Sequence, residues 1–130
     1  MSCRVFIADD VDALRVLWRQ FLEEEDEFVV VGEAADGREA LSGVAQTRPD
    51  VLILDLSMPH VDGLEVLRSL RRTHPDVRII VASGFAEARL GPLALGLGAV
   101  GYFEKGGPAD ELRRLVRDAC EAPTHRIADP

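Results

Sequence analysis

Five polar residues of this 130-residue sequence stand at, or one residue beyond, the ends of four short apolar runs. They are Asp9, Asp10, Asp55, Ser83 and Lys105. An aspartate can attack phosphorus and hold a phosphoryl group as an acyl phosphate. A divalent cation, an ammonium group and a hydroxyl group would neutralise the negative charge on the phosphoryl oxygens. These residue types therefore indicate a site for a phosphoryl group, provided that the fold brings them together.

The three aspartates also indicate a cation site. Carboxylates within a few ångströms of one another repel, so that either one of them keeps a proton or a cation binds between them. Hard carboxylate oxygens beside water suit Mg²⁺, which binds one or two carboxylates together with waters and phosphate oxygens. We therefore expect Mg²⁺ at Asp9, Asp10 and Asp55.

Short apolar runs and amphipathic patterns alternate along the chain. Val51–Leu54 is apolar throughout, which predicts a central strand buried on both faces. Further strands are predicted at 4–8, 28–31, 77–82 and 99–103, with a helical pattern after each strand. Five such units predict an α/β, doubly wound, five-stranded parallel sheet of order 2-1-3-4-5, with helices on both faces as in flavodoxin-like folds. Because the carboxyl ends of parallel strands meet at one edge, the five polar residues would lie there together.

Particular residues predict how the third helix is capped and how long the fourth helix is. Asp62 is predicted to cap the third helix. The segment before Gly98 contains Gly91, Pro92 and Gly96. Proline inside a helix costs about 3 kcal/mol and glycine about 1 kcal/mol relative to alanine. We predict that the fourth helix is short and begins near Pro92, or that it is mobile.

Length and composition narrow the class of protein. The chain is predicted to form one domain over residues 1–121, with a flexible tail or the start of a linker at 122–130. The net charge of −8 argues against direct nucleic-acid binding by this chain. No apolar run approaches the ~20 residues of a membrane helix, so a cytoplasmic protein without membrane association is expected.

Cys3 and Cys120 fit no metal motif and are expected to be free thiols rather than a disulfide. The acidic run Glu23–Glu27 is expected to be a solvated surface.

Five stretches, taken in order, resemble the receiver domain of bacterial two-component response regulators. They are Ile7–Asp10, Gly32–Leu41, Asp55–Gly63, Ala82–Gly84 and Gly101–Lys105. The likeness covers about residues 4–121, and the loops are most similar to those of receivers attached to DNA-binding helix-turn-helix domains. Many receivers have a proline after the lysine, whereas this chain has Gly106-Gly107, so a trans peptide bond is expected there.

The resemblance implies a role for each residue that would receive the phosphoryl group. Asp55 would be the phosphoacceptor, taking the phosphoryl group from a phosphohistidine of a sensor histidine kinase. Asp10 would bind Mg²⁺ directly and Asp9 largely through water, and the backbone carbonyl of Ser57 would complete the protein ligands.

The resemblance also implies how phosphorylation would be read out. Ser83 would hydrogen-bond the phosphoryl oxygen and Lys105 would pair with it. Tyr102 occupies the switch-aromatic position, where the ring would follow the Ser83 hydroxyl inward. The face formed by the fourth helix, the fifth strand and the fifth helix would then change shape and bind a downstream output protein or domain. A homodimer could form through the same face.

Three interpretations stay open at this point. In the first, the chain is a phosphorylation-controlled receiver and not an enzyme on other substrates, although it would catalyse its own phosphorylation from small phosphodonors and its own dephosphorylation. In the second, it is a receiver fragment of a DNA-binding transcriptional regulator. In the third, it is a phosphorylation-independent interaction module with a vestigial site.

Overall fold

Strands and helices alternate along residues 2–121, the part of the chain that the computed structural model describes. The strands are β1 (Cys3–Ala8), β2 (Phe28–Ala34), β3 (Val51–Asp55), β4 (Arg78–Ser83) and β5 (Gly101–Glu104). The helices are α1 (Asp12–Glu23), α2 (Gly37–Thr47), α3 (Gly63–Thr73), α4 (Glu87–Gly96) and α5 (Ala109–Glu121). Within these residues, none of the helices combines the length and apolar character required to span a bilayer. The tail predicted at 122–130 lies outside the described residues.

The five strands form one parallel sheet in the order β2-β1-β3-β4-β5, which confirms the predicted fold class. Strand β1 lies between β2 and β3, so the chain first winds to one side of β1 and then to the other. The switch point of the topology therefore falls between β1 and β3. Their carboxyl ends, where Ala8 pairs with Leu54, lead directly into Asp9 and Asp55.

The sheet separates two apolar layers. Every residue of β3 is buried, as expected for a central strand covered on both faces. Successive side chains of a strand point to opposite faces. Leu52 and Leu54 accordingly pack in the layer formed with α2, α3 and α4. Val51 and Ile53 pack in the layer formed with α1 and α5.

Helix α4 differs from the sequence prediction, because it spans ten residues and contains Pro92 instead of beginning there. Proline has no N–H to donate to the carbonyl four residues earlier, which is that of Ala88. Both Ala88 and Pro92 are exposed, so water can solvate the carbonyl that the proline leaves unpaired. Ala94 is buried in the apolar layer over the sheet, and Leu90 packs against the same layer, which attaches the helix to the sheet and offsets its weak intrinsic propensity.

The expectation of two free thiols is wrong, because Cys3 and Cys120 form a disulfide. Cys3 lies at the start of β1 and Cys120 in the last turn of α5. Helix α5 runs antiparallel to the strands, so its carboxyl end returns to the edge of the sheet where β1 begins. This brings the two Cα atoms to 6.2 Å despite a sequence separation of 117 residues. A separation of that length gave no sign that the two cysteines are neighbours.

The acidic run after α1 faces arginines of α5. Glu24 forms an ion pair with Arg113, and Arg117 Nε donates to Glu27 Oε2 at 2.7 Å. The carboxylates stay partly exposed, in agreement with the predicted solvated surface. Exposed ion pairs contribute about 0–1 kcal/mol each, so these contacts orient α5 more than they stabilise it.

Candidate functional site

The structure brings the polar strand ends together at the carboxyl edge of the sheet. Asp9, Asp55 and Ser83 are almost fully buried, with exposed fractions of 0%, 1% and 4%. Asp10, the next residue of the β1–α1 loop, is exposed to solvent. Burial of three polar residues at one edge costs free energy unless partners compensate it, so this is where a ligand is expected.

Lys105 connects two of the buried carboxylates. Its Nζ atom lies 2.8 Å from Asp9 Oδ2 and 3.0 Å from Asp55 Oδ1. The backbone N–H of Lys105 donates to the carbonyl of Ser83 at 2.8 Å, as the last bond between the β4 and β5 ends. This bond holds the backbone of Lys105 beside the backbone of Ser83. All peptide bonds among residues 2–121 are trans, which confirms the expectation for the segment after Lys105.

The surroundings shift the pKa values of both charged partners. Burial raises the pKa of Asp55, and the nearby charge of Asp9 adds to this; hydrogen bonds from Ser57 and Lys105 oppose it without cancelling it. Burial alone would lower the pKa of Lys105, but its hydrogen bonds to Asp9 and Asp55 outweigh burial and raise the pKa. Lys105 is therefore a fixed positive charge at neutral pH, whereas ionised Asp55 is held at a cost.

The carboxylates also fit a cation. One oxygen each of Asp9, Asp10 and Asp55 lies within 4.8 Å of the other two. Asp55 Oδ2 is buried and has no hydrogen-bond partner among residues 2–121. A buried carboxylate oxygen without a partner is costly, and a hard divalent cation is one group that satisfies it. Oxygen ligands of this kind favour Mg²⁺ over softer metals.

The loop after β3 orients Asp55. The backbone N–H of Ser57 donates to Asp55 Oδ1 at 3.0 Å, so Ser57 contacts the site through its main chain. Asp62 Oδ1 accepts the N–H of Glu65 at 3.0 Å and caps α3, as predicted. Gly63 is buried where α3 begins, and its N–H donates to the carbonyl of Leu56 at 3.1 Å.

Replacing Gly63 with alanine is expected to lower both the melting temperature and phosphoryl acceptance. A Cβ atom at this position would overlap the Asp55 carbonyl oxygen and the Leu56 Cα atom, which are backbone atoms and cannot rotate away. The loop must shift to relieve the overlap, at a cost of about 1–3 kcal/mol. Thermal unfolding measures the first effect. Gly84→Ala is the matched control, since nothing lies within 4 Å of a Cβ atom there; equal melting temperatures for the two variants would contradict the prediction.

Ser83 and Tyr102 both contact the backbone of Phe85. Ser83 Oγ accepts the N–H of Phe85 at 3.1 Å, and the Tyr102 hydroxyl donates to the Phe85 carbonyl at 2.8 Å. The Tyr102 ring is buried, with 5% of the residue exposed. A displacement of the Ser83 hydroxyl would therefore break its hydrogen bond to the N–H of Phe85, the residue whose carbonyl binds Tyr102. The switch role of these residues stays a prediction.

Sequence reasoning missed two residues that support the site. A guanidinium nitrogen of Arg15 donates to the backbone carbonyl of Asp9, and Arg15 also pairs with Glu33 of β2. Glu104 Oε2 accepts the N–H of Glu87 at 2.7 Å and so caps α4 from the neighbouring strand. Arg15 carried one local signal, since it is three residues after Asp12, with which it also pairs. Glu104 carried no local signal of its contact with α4.

Comparison with known proteins gives one family. Residues 5–117 match the model of the response regulator receiver domain. One relative is the transcriptional regulatory protein YhcZ of Bacillus subtilis. It is 38% identical over 109 residues, which are 84% of this chain and 51% of YhcZ. The chain thus spans about half the length of the curated relatives it matches.

Solved structures agree with this family. The signal receiver domain of the response regulator NarL from Mycobacterium tuberculosis is 31% identical, with a TM-score of 0.88 over 94% of this chain and 98% of that domain. The response regulator domain of Thermotoga maritima CheB is 28% identical, with a TM-score of 0.87 over 95% of this chain and 99% of that domain. The sheet order and both covering layers are therefore those of a known receiver fold.

Proposed function

The chain belongs to the response regulator receiver domain family, and on that premise we propose that Asp55 accepts a phosphoryl group from a phosphohistidine of a sensor histidine kinase. One observation carries the proposal: Asp55 is buried beside Lys105, and its Oδ2 atom has no hydrogen-bond partner within the described part of the chain. A carboxylate whose ionised form is disfavoured by burial is a suitable nucleophile. Transfer converts it to an acyl phosphate and places the negative charge on the phosphoryl oxygens instead.

Asp55 and the residues around it have different roles in the phosphoryl transfer. The carboxylate attacks phosphorus, the new P–O bond forms, and the P–N bond to the histidine breaks. The Lys105 ammonium, 3.0 Å from Asp55 Oδ1, stabilises the charge that develops on the phosphoryl oxygens. The Ser83 hydroxyl can exchange the N–H of Phe85 for a phosphoryl oxygen by rotating about its own Cα–Cβ bond.

Asp9, Asp10, Asp55 and the carbonyl of Ser57 are the proposed holders of Mg²⁺. When bound, the ion supplies positive charge for the phosphoryl oxygens and relieves the repulsion among the carboxylates. The buried oxygen of Asp55 and the oxygen-only donor set support this assignment.

The proposed output is a change in the face formed by α4, β5 and α5. Its proposed partner is an output protein or domain, and the face could also join two copies of the chain. The curated relative YhcZ is named a transcriptional regulatory protein, which favours a DNA-binding output. In this proposal the chain itself acts on no other substrate and does not bind nucleic acid.

Incubation with acetyl phosphate and Mg²⁺ tests the acceptor assignment. Intact-mass spectrometry is expected to show one added phosphoryl group, which hydroxylamine removes because acyl phosphates are cleaved by that nucleophile. Borohydride reduction followed by peptide mapping is expected to mark Asp55. Absence of any added group would favour the phosphorylation-independent interaction module, and a mark at another residue would overturn the assignment.

A further inference from the structure

A second cluster of metal-ligating side chains lies at the opposite edge of the sheet from Asp55. Cys3 begins β1, Asp50 directly precedes β3, and Cys120 lies in the last turn of α5. Both sulfur atoms and a carboxylate oxygen of Asp50 lie within 4.8 Å of one another. The cluster shares no residue with the phosphoryl site, so an inference about it does not depend on the proposed function.

We propose that, once its disulfide is reduced, the Cys3–Asp50–Cys120 cluster binds a thiophilic divalent cation of the zinc class. The disulfide and the bound cation are then two alternative ways of tying α5 to β1. In the oxidised protein the covalent bond holds the two elements, and in the reduced protein the cation does. Only the reduced, metal-free form leaves the end of α5 without this tie.

The change between the two forms balances in atoms and electrons. A dithiol reductant supplies two electrons and two protons, the S–S bond breaks, and two thiols form while the reductant becomes a disulfide. Binding of the cation displaces both thiol protons to the solvent, because the thiolate is the metal ligand. Metal binding is therefore expected to weaken as the pH falls.

The geometry suits a tetrahedral ion. Two thiolates on one zinc ion, each at about 2.3 Å, place their sulfur atoms about 3.8 Å apart. Two sulfur atoms that are no longer bonded separate to about their van der Waals contact, which is a similar distance. With the Cα atoms 6.2 Å apart, side-chain rotation of Cys3 and Cys120 suffices for this change.

Asp50 is already held in position as a third ligand. Its Oδ2 atom accepts the backbone N–H of Arg4 at 2.9 Å, and its own N–H donates to the Arg4 carbonyl at 2.8 Å. A carboxylate offers about four acceptor sites, so the bond from Arg4 leaves capacity for a metal. Hydrogen bonds of this kind fix a ligand's orientation and support metal affinity.

The surroundings allow an ion to enter. The cluster opens into a cleft of about 420 Å³, which leaves room for a water molecule as the fourth ligand. Two thiolates, one carboxylate and a dication leave one net negative charge, and the cleft is also lined by Arg117 and by its ion-pair partner Glu27. Soft thiolate ligands select zinc-class ions, whereas the oxygen ligands around Asp55 select Mg²⁺.

Titration with Co²⁺, a spectroscopic substitute for zinc, tests the proposal on the full chain. Protein reduced with a phosphine and kept anaerobic in excess Mg²⁺ is expected to bind one Co²⁺ and to develop a thiolate-to-cobalt charge-transfer band. Zn²⁺ is expected to abolish the band by displacement. The oxidised wild type is expected to show no band, which serves as a control that requires no mutation.

Variants assign the ligands. Cys3→Ser and Cys120→Ser are each expected to remove the two-thiolate band. Asp50→Asn is expected to weaken Co²⁺ binding by at least the ~10–100-fold that loss of a metal's supporting residue costs. Asp26→Asn, an exposed acid outside the cleft, is expected to bind as the wild type does. The absence of a charge-transfer band in the reduced wild type would overturn the proposal, and so would full affinity in Asp50→Asn.

Discussion

Replacing Asp55 with asparagine is expected to abolish phosphoryl acceptance and, in the same protein, to raise the free energy of unfolding at neutral pH. The amide cannot attack phosphorus, so no acyl phosphate forms. The stability gain follows from the raised pKa of Asp55, which means that its burial beside Asp9 disfavours the ionised form more than Lys105 and Ser57 favour it. The gain expected from relieving a destabilised functional site is about 0.5–2 kcal/mol. Intact-mass spectrometry and chemical denaturation measure the two effects.

The pH dependence of this gain distinguishes its cause. Below the ordinary aspartate value of 3.8, residue 55 is neutral in the folded and the unfolded wild type, so the wild type and Asp55→Asn should differ little. As the pH rises through the raised folded-state pKa, the unfolded chain has already ionised and the folded protein must follow at a cost. The stability difference should therefore grow with pH and then level off, in metal-free buffer.

Asp62→Asn is the matched control in the same loop. Asparagine caps a helix as well as aspartate does, so neither phosphoryl acceptance nor stability should change. An Asp55→Asn protein that is phosphorylated as readily as the wild type would show that Asp55 is not the acceptor. One that is less stable at every pH would show that the ion pair with Lys105 outweighs burial.

Removal of the Cys3–Cys120 disulfide is expected to have the largest effect on stability. The bond closes a loop with a sequence separation of 117 residues, and constraining an unfolded chain over that length is worth about 4–5 kcal/mol in the chain-entropy model. For a domain of this size the melting temperature should fall by about 10–20 °C. Calorimetry of the Cys3→Ser, Cys120→Ser double variant against the oxidised wild type measures the change.

The reduced wild type separates the covalent bond from the serine substitutions. Cys3 is buried, so a serine hydroxyl there carries a cost of its own. Wild-type protein reduced with a phosphine in the presence of a chelator should melt near the double variant. A shift of less than about 3 °C on reduction would mean that the unfolded chain is already constrained without the bond.

The sequence was sufficient for the fold class and for the residues gathered at the carboxyl edge. Asp9 and Asp55 stand directly after buried strands, and parallel topology brings such strand ends together whatever the loops between them do. Capping by Asp62 was also predictable, because the donor lies only three residues away.

What could not be predicted depends on contacts between distant parts of the chain. The Glu104 carboxylate caps α4 across 17 residues, and the cysteines meet across 117. Local propensity placed the start of α4 near Pro92, but packing of Leu90 and Ala94 in the apolar layer over the sheet extends the helix to Glu87. Pairing across such separations is decided by tertiary packing, for which a single sequence carries no periodic signal.

The placement of Asp55 and Cys120 at opposite edges of the sheet makes α5 a lever. The five residues of β3 span about 17 Å from one edge to the other, and the thirteen residues of α5 span about 20 Å. A tilt of about 5° about the amino end of a helix of that length displaces its carboxyl end by about 2 Å. With the disulfide intact, the carboxyl end of α5 is anchored to β1. The helix can therefore tilt about its carboxyl end, but that end cannot be displaced.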